Sequence, residues 1–367
     1  MYEVLLKILW LAHRDPLNPK AGGAERTINE VCSRLAEYGH SVTVLSAGWK
    51  GCRKTDILGG FRIVRIGNSL SLHFFVPVFL AKNQFELVVN DLGHAVPWIS
   101  PVIFGKRNAV FFRHLHARSL PGQVNKVLAS LITAIEKCYF LIYKNNTFVT
   151  ESTTSVQDLM KLGIRNSNIV KISPGVDSHL FKPLTKTEFP SMVYFGGLRR
   201  YKRPEECIFI YSELRDRIIG LKLFIIGSGA ELENLKQLTV AMKLDRNVVF
   251  LNRVSDEELA KVVASSWLNI HSSVTEGWGY SIMEASSAGT PTVAYEVPGV
   301  VDSIENGING IKVKDEDRNA LYAAALEILG DPEKWWLSSP PFAKKYAWDH
   351  TAEMWENLIE SILSKQS

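Results

Sequence analysis

Glu276 and Glu284 stand on either side of the turn Gly277-Trp278-Gly279. An ionised carboxylate only accepts hydrogen bonds, so two of them bracketing one turn suit a ligand rich in hydroxyl donors, such as a sugar or a ribose. The turn follows an apolar run, 267–270, and the pattern predicts a helix beginning near Tyr280. A strand, a glycine turn and a helix start together make an anion site, because free backbone N–H groups and the helix dipole face one point. Taken alone, the pattern fits a glycine turn with two solvated glutamates equally well.

Three other stretches could take part in the same chemistry. Gly196-Gly197-Leu198 is followed by Arg199, Arg200 and Lys202 just before a predicted helix, 204–214. Cations at a glycine turn leading into a helix suit a departing diphosphate. Gly22-Gly23 lies between a buried strand, 4–11, and an amphipathic helix, 24–38, with apolar residues at Ile28, Val31, Cys32 and Leu35 and Gly39 as its C-cap. The spacing is not the G-x-G-x-x-G dinucleotide fingerprint, which argues against a nicotinamide enzyme. Arg113-His114-Leu115-His116-Ala117-Arg118 packs two imidazoles and two guanidiniums directly after the strand 109–112.

The elements that must position these residues alternate. Apolar runs at 42–45, 61–66, 85–89, 109–112, 147–150 and 169–172 are separated by helical patterns, notably 124–143 and 154–162. Beyond a polar, Pro-bounded linker, 184–190, further strands are predicted at 192–195, 221–226, 248–251 and 292–295, with a last amphipathic helix at 349–363. Ser255 with Glu258 forms a capping box. Strands alternating with helices predict parallel α/β sheets, whose ligands bind beyond the carboxyl ends of the strands. At 367 residues the chain suits two domains.

The Glu276–Glu284 pair continues into Ala285, Gly289-Thr290-Pro291, Pro298-Gly299, Asp302-Ser303-Ile304, Asn306-Gly307 and Asn309-Gly310. This run resembles the signature of the retaining GT-B glycosyltransferases of family four, the glycosyl transferases group 1. The resemblance implies two Rossmann-like domains facing across a cleft, with the C-terminal helix crossing back to the first. Residues 1–183, joined by 349–367, would form the acceptor side, and 184–348 the nucleotide-sugar side.

The same resemblance implies roles for individual residues. Glu276 would hold donor-sugar hydroxyls and Glu284 the ribose, within a donor-binding turn completed by Gly277, Trp278, Gly279, Tyr280 and Ser281. Lys202 would meet the diphosphate. The family usually shows Gly-Arg-Leu, three residues, Lys-Gly; here Gly197 stands in the arginine's place and Arg203 in that of the final glycine, so Arg199 is the candidate replacement. Gly22 and Gly23 would lie between donor diphosphate and acceptor, and Arg253 near the base. A histidine on the donor sugar falls to His114, with His116 second and Arg113 as an alternative.

Residues 1–175 carry 21 Lys and Arg against 11 Asp and Glu, and the remainder 21 against 27. A basic first half attracts an anionic membrane or an anionic acceptor. The apolar stretch 71–79 and the lysine-edged segment 124–144 are expected to be mostly core, with a membrane-facing patch as the alternative. Four scattered cysteines and the lack of a basic n-region predict a cytoplasmic protein, peripheral on the inner membrane face if it binds there. No span of about 18 uncharged residues is present.

The reading is therefore transfer of a sugar from a nucleotide-diphosphate sugar to a glycan or lipid-linked acceptor hydroxyl. No cofactor, no metal and no nucleic acid partner is expected, and the chain is taken to lack an Asp-x-Asp metal motif. A nucleotide-sugar epimerase of the same fold and a non-catalytic sugar-nucleotide-binding protein stay open as alternatives.

Overall fold

The computed structural model describes residues 5–93, 96–101, 105, 107–115, 125–137 and 139–365. The chain forms two compact units, Met1–Gly175 with Trp348–Ser367, and Val176–Ala347. The first boundary thus falls eight residues before the expected 183/184.

The first unit is built on an eight-stranded sheet. Its strands are β1 (Lys7–Leu11), β2 (Ser41–Ser46), β3 (Thr55–Leu58), β4 (Phe61–Arg65), β5 (Leu87–Leu92), β6 (Asn108–Phe112), β7 (Thr147–Thr150) and β8 (Ile169–Lys171). They lie in the order β3-β4-β2-β1-β5-β6-β7-β8. Every pair is parallel except β3 with β4, an antiparallel edge that the sequence reading did not include. Ile8, Leu9, Trp10 and Leu11 are fully buried, as a central parallel strand covered on both faces requires. The helix Gly23–Glu37 buries Ile28, Val31, Cys32 and Leu35 on one stripe. It ends at Gly39, φ 98°, where Gly39 N–H donates to Ala36 O and His40 N–H to Leu35 O, each at 3.0 Å.

The final helix, Trp348–Ser364, belongs to this first unit. Its buried residues Trp348, Thr351, Ala352, Trp355, Leu358, Ile359 and Ile362 repeat at three and four positions, the stripe of a core-facing helix. Trp355 packs against Trp10 and Phe111, with ring centroids 4.9 and 5.1 Å apart. His40 Nε2 meets the Glu356 carboxylate at 2.8 Å and Arg34 Nε meets Asp349 at 2.7 Å, so the helix is also pinned at its polar edge.

The second unit carries a six-stranded parallel sheet in the order β11-β10-β9-β12-β13-β14. Its strands are β9 (Ser191–Phe195), β10 (Lys222–Ile226), β11 (Val248–Leu251), β12 (Leu268–His271), β13 (Thr292–Tyr295) and β14 (Gly310–Val313). Ser255 caps the helix Asp256–Ser265 by accepting from Glu258 N–H at 3.2 Å.

Three segments depart from expectation. The stretch 71–79 is not mostly core: it lies in a helix, Leu72–Lys82, that leaves Phe74 80% and Val78 50% exposed. The helical pattern 124–143 is described as two helices, Lys126–Lys137 and Tyr139–Tyr143, the first leaving Val127 and Leu131 exposed. Between β14 and the last helix, Glu333–Ala343 is helical despite Pro340 and Pro341, a helix absent from the sequence reading.

Candidate active site

Strand β12 ends in polar residues, Asn269 and His271, followed by Ser272 and Ser273. That is where a parallel sheet offers its ligand-binding loops. Glu276 sits on the loop that follows, and its N–H donates to Pro298 O at 2.9 Å. A Cβ on Gly299 would come within 2.2 Å of Glu276 O, so only glycine lets the two loops run this close. The glycine of the Pro298-Gly299 pair therefore fixes the height of the Glu276 backbone.

The Glu276 carboxylate is the focus of the site. Its Oε1 accepts from Ser273 Oγ at 2.6 Å and forms an ion pair with Lys202 Nζ, while His271 Nε2 stands 3.2 Å away. Burial opposes ionisation of this carboxyl. Lys202 and His271 outweigh that penalty and hold it well below the usual carboxylate range. Lys202 is the mirror case: burial works against its charge, and the Glu276 carboxylate overcomes it, raising the ammonium above its ordinary value. A charged carboxylate and a charged ammonium thus stand together in a largely buried setting.

Lys202 closes the short 3₁₀ turn Arg200–Lys202, which follows β9. Leu198 N–H donates to Ser228 O at 3.0 Å, and a Cβ on Gly229 would come within 2.1 Å of Leu198 O. The turn after β9 is therefore packed directly on the turn after β10. Arg199 precedes the 3₁₀ turn and is exposed, as is Arg253 beyond β11.

Beyond Glu276, Gly279 takes φ 93° at the start of the helix Tyr280–Ser287, where as N-cap it offers no capping side chain. Here glycine is required by conformation. Glu284 lies within this helix and is buried. Ser281 Oγ lies 3.1 Å from His271 Nδ1, so one side chain of the helix's first turn orients the imidazole that faces Glu276. Trp278 needs a correction: its indole is fully buried with Met283, Phe342 and Tyr346, so only its backbone can serve a donor. Tyr280 packs against the same cluster. Gly277 stays half-buried on the turn.

The Asp-x-Asp expectation is also corrected. Asp315-Glu316-Asp317 has that spacing. Both aspartates are committed inside the chain: Asp315 to Arg203 Nη2 at 2.5 Å, and Asp317 as N-cap of the helix Arg318–Gly330, accepting from Ala320 N–H at 2.9 Å. Among the described residues no group of three His, Cys, Asp or Glu is arranged to hold a metal.

In the first unit, Gly22 is the N-cap of the helix Gly23–Glu37, but its N–H is already taken by Glu25 Oε2 at 2.7 Å. Arg14 Nε pairs with the other Glu25 oxygen at 2.9 Å. Part of the anion-binding capacity of Gly22-Gly23 is therefore satisfied internally. Arg113 is a buried hub: it meets Asp91 at 2.8 Å, Glu151 at 2.6 Å and Ala24 O at 3.1 Å, and lies over the Phe111 ring. That engagement explains Arg113 as a tie between sheet and helix and removes it as the alternative to His114. His114 follows it, half-buried. His116 and Arg118 lie outside the described residues.

Sequence reasoning missed His271 and Ser273, which share Glu276 Oε1 with Lys202. The available signal was polarity at the end of an otherwise apolar strand. It missed Arg203 as well, seen there only as a departure from a pattern.

Two α/β units, parallel but for one edge pair, with a charged pair and a helix start beyond the strands of the second, have the architecture of a GT-B glycosyltransferase. Over 98% of this chain the fold matches that of sucrose-phosphate synthase from Thermosynechococcus elongatus, covering 100% of that chain, with a TM-score of 0.83 at 19% identity. Residues 176–335 match the family model of the glycosyl transferases group 1, and residues 21–180 that of Glycosyltransferase Family 4. The chain belongs to this family. It is similar to a GDP-mannose-dependent alpha-mannosyltransferase of Corynebacterium glutamicum, 27% identical over 341 residues, 85% of this chain and 78% of the relative. It is also similar to a GDP-mannose-dependent alpha-(1-6)-phosphatidylinositol monomannoside mannosyltransferase of Mycobacterium tuberculosis, 24% identical over 343 residues, 86% of this chain and 88% of the relative.

Proposed function

We propose that this glycosyltransferase moves a hexosyl group from a nucleotide-diphosphate sugar to an acceptor hydroxyl, with the anomeric configuration retained and no metal ion. The observation that carries the reading is the Lys202–Glu276 pair beside a helix start whose N-cap is a glycine. Glu276, held ionised, accepts from donor-sugar hydroxyls. Lys202 and the helix dipole meet charge as it grows on the departing diphosphate, the work a metal does elsewhere. Glu284 takes the ribose hydroxyls, Arg199 and Arg253 serve the phosphates and base, His114 meets the donor sugar, and Gly22 and Gly23 lie between donor diphosphate and acceptor. The engagement of Asp315 and Asp317 within the chain supports metal independence.

GDP-mannose is the donor to test first, because both relatives are named for it. A lipid-linked or membrane-associated glycan as acceptor is supported by the excess of basic residues in 1–175 and by the exposed Phe74, Val78, Val127 and Leu131. No helix among the described residues is long and apolar enough to cross a membrane. The contact proposed is peripheral, on the cytoplasmic face.

The test is incubation of the protein with GDP-mannose and UDP-glucose, with and without acceptor lipids and with and without EDTA, followed by NMR of the product. An α-linked product formed at equal rates in EDTA is expected. Interconversion of the sugar nucleotide without transfer would establish the epimerase instead, and binding without turnover a non-catalytic protein.

A further inference from the structure

Arg203 occupies a backbone conformation that disfavours it. Its φ of 46° and ψ of 49° are left-handed, a region where a side chain costs on the order of 1 kcal/mol and glycine costs little. Across from it Glu316, at φ 64°, is strained in the same way. Strain of this kind persists where surrounding contacts over-determine it, and it clusters at working sites.

The contacts that hold Arg203 there are specific. Nε donates to Ser272 O at 2.7 Å and Nη2 to Ser273 O at 3.1 Å. Nη2 also pairs with Asp315 at 2.5 Å, and the guanidinium lies over the Tyr295 ring at 4.7 Å. In return, Ser272 Oγ donates to Lys202 O at 3.0 Å and Arg203 O at 2.7 Å, and Val274 N–H to Tyr201 O at 2.9 Å. One planar side chain thus laces the turn that carries Lys202 to the loop that carries Ser273 and Glu276. It anchors both to Asp315 beyond β14.

We propose that Arg203 is a positioning residue for the Lys202–Glu276 pair, fixing the ammonium where the departing diphosphate develops its charge. The assignment of charge development rests on the reading given under Proposed function; the positioning itself does not. A glycine at 203 would relieve the backbone strain while cutting the lacing. Those contacts outweigh the strain, so the discriminating readout is loss of Lys202 pairing and of kcat at near-constant KM, which a merely structural residue would not produce.

The test uses the full chain and its variants R203G, R203K and E276Q. Lys202 acylation by an amine-reactive ester is followed by peptide mass spectrometry, with E276Q giving the rate of the unpaired amine. In R203G, acylation of Lys202 is expected to rise about fivefold, the factor corresponding to about 1 kcal/mol of lost pairing. R203K, whose ammonium cannot reproduce the planar fork, should lie between. With GDP-mannose as donor, kcat of R203G should fall on the order of tenfold with KM held within about twofold. Lys202 acylation equal to wild type in R203G overturns the proposal; if R203G does not fold, the same result in R203K overturns it. A wild-type protein that leaves GDP-mannose and UDP-glucose untouched would sink the functional reading, and the acylation rates would still decide the role of Arg203.

Discussion

His271 and Glu276 face each other at 3.2 Å, Nε2 to Oε1, with the opposite ring nitrogen of the histidine set against Ser281 Oγ. The imidazole, at the end of β12, therefore bridges the Glu276 loop and the helix start. Together with Lys202 it keeps the carboxylate charged in spite of burial.

The pH behaviour of Glu276 follows. Its folded-state value is depressed below the ordinary 4.5, so the stability it contributes is complete above that value and is lost only as pH falls further. Donor affinity should consequently show no acid limb from Glu276 between pH 8 and pH 5, whatever other groups do. Titration of GDP-mannose binding against pH in wild type and E276Q checks this. A limb near pH 6 present only in wild type would contradict it.

Lys202→Ala should lower kcat far more than it weakens donor binding, because the diphosphate charge that Lys202 meets grows toward the transition state. Steady-state kinetics separate the two, and a raised KM with unchanged kcat would assign Lys202 to ground-state binding.

Glu284→Ala is expected to weaken binding of the nucleoside diphosphate by about 1–3 kcal/mol, the cost of leaving a ribose hydroxyl unpaired. Calorimetry with GDP and UDP measures it. Equal affinity in wild type and variant would take Glu284 out of the donor site.

Lys186 offers a test away from the site. Its amine donates to Ser266 O and Thr290 Oγ1, each at 2.8 Å, and burial lowers its pKa from 10.5 to about 7. Between those values the unfolded chain binds the proton more tightly, so this group makes stability rise with pH from about 7 to 10.5. Lys186→Met should flatten that rise relative to wild type in urea unfolding at pH 7 and pH 10; parallel slopes would show the amine titrating normally.

Membrane attachment predicts co-sedimentation with anionic but not neutral liposomes, weakened by salt because the attraction is screened beyond about 10 Å at 0.1 M. Each basic residue near the surface would contribute on the order of 1 kcal/mol. Equal and negligible pelleting at low and high salt on both lipids would leave a soluble acceptor.

Much of this architecture was legible in the sequence because its strands are buried on both faces, which writes them as unbroken apolar runs such as Leu87-Val88-Val89. The exceptions have physical causes. The edge strand Thr55–Leu58 is half exposed and mixed in polarity, so it lacks that signature. The helix Leu72–Lys82 is apolar on all sides and contains Pro77, so it shows no helical period and reads as core. Within the site, Lys202 and Glu276 stood out as charges beside glycines. The burial of Trp278 and the hub at Arg113 depend on contacts between distant segments, which spacing does not encode.

The first unit is discontinuous: its sheet is complete by Lys171, while Trp355, which packs on Trp10 and Phe111, arrives only after the whole of Val176–Ala347. The last layer of the first unit is therefore synthesised only after the whole of the second. The second unit is contiguous and can close while the earlier sheet still presents two aromatic rings without their cover. Any premature stop before residue 348 would release a chain whose glycine-turn site could be intact but whose older half had never acquired its final layer.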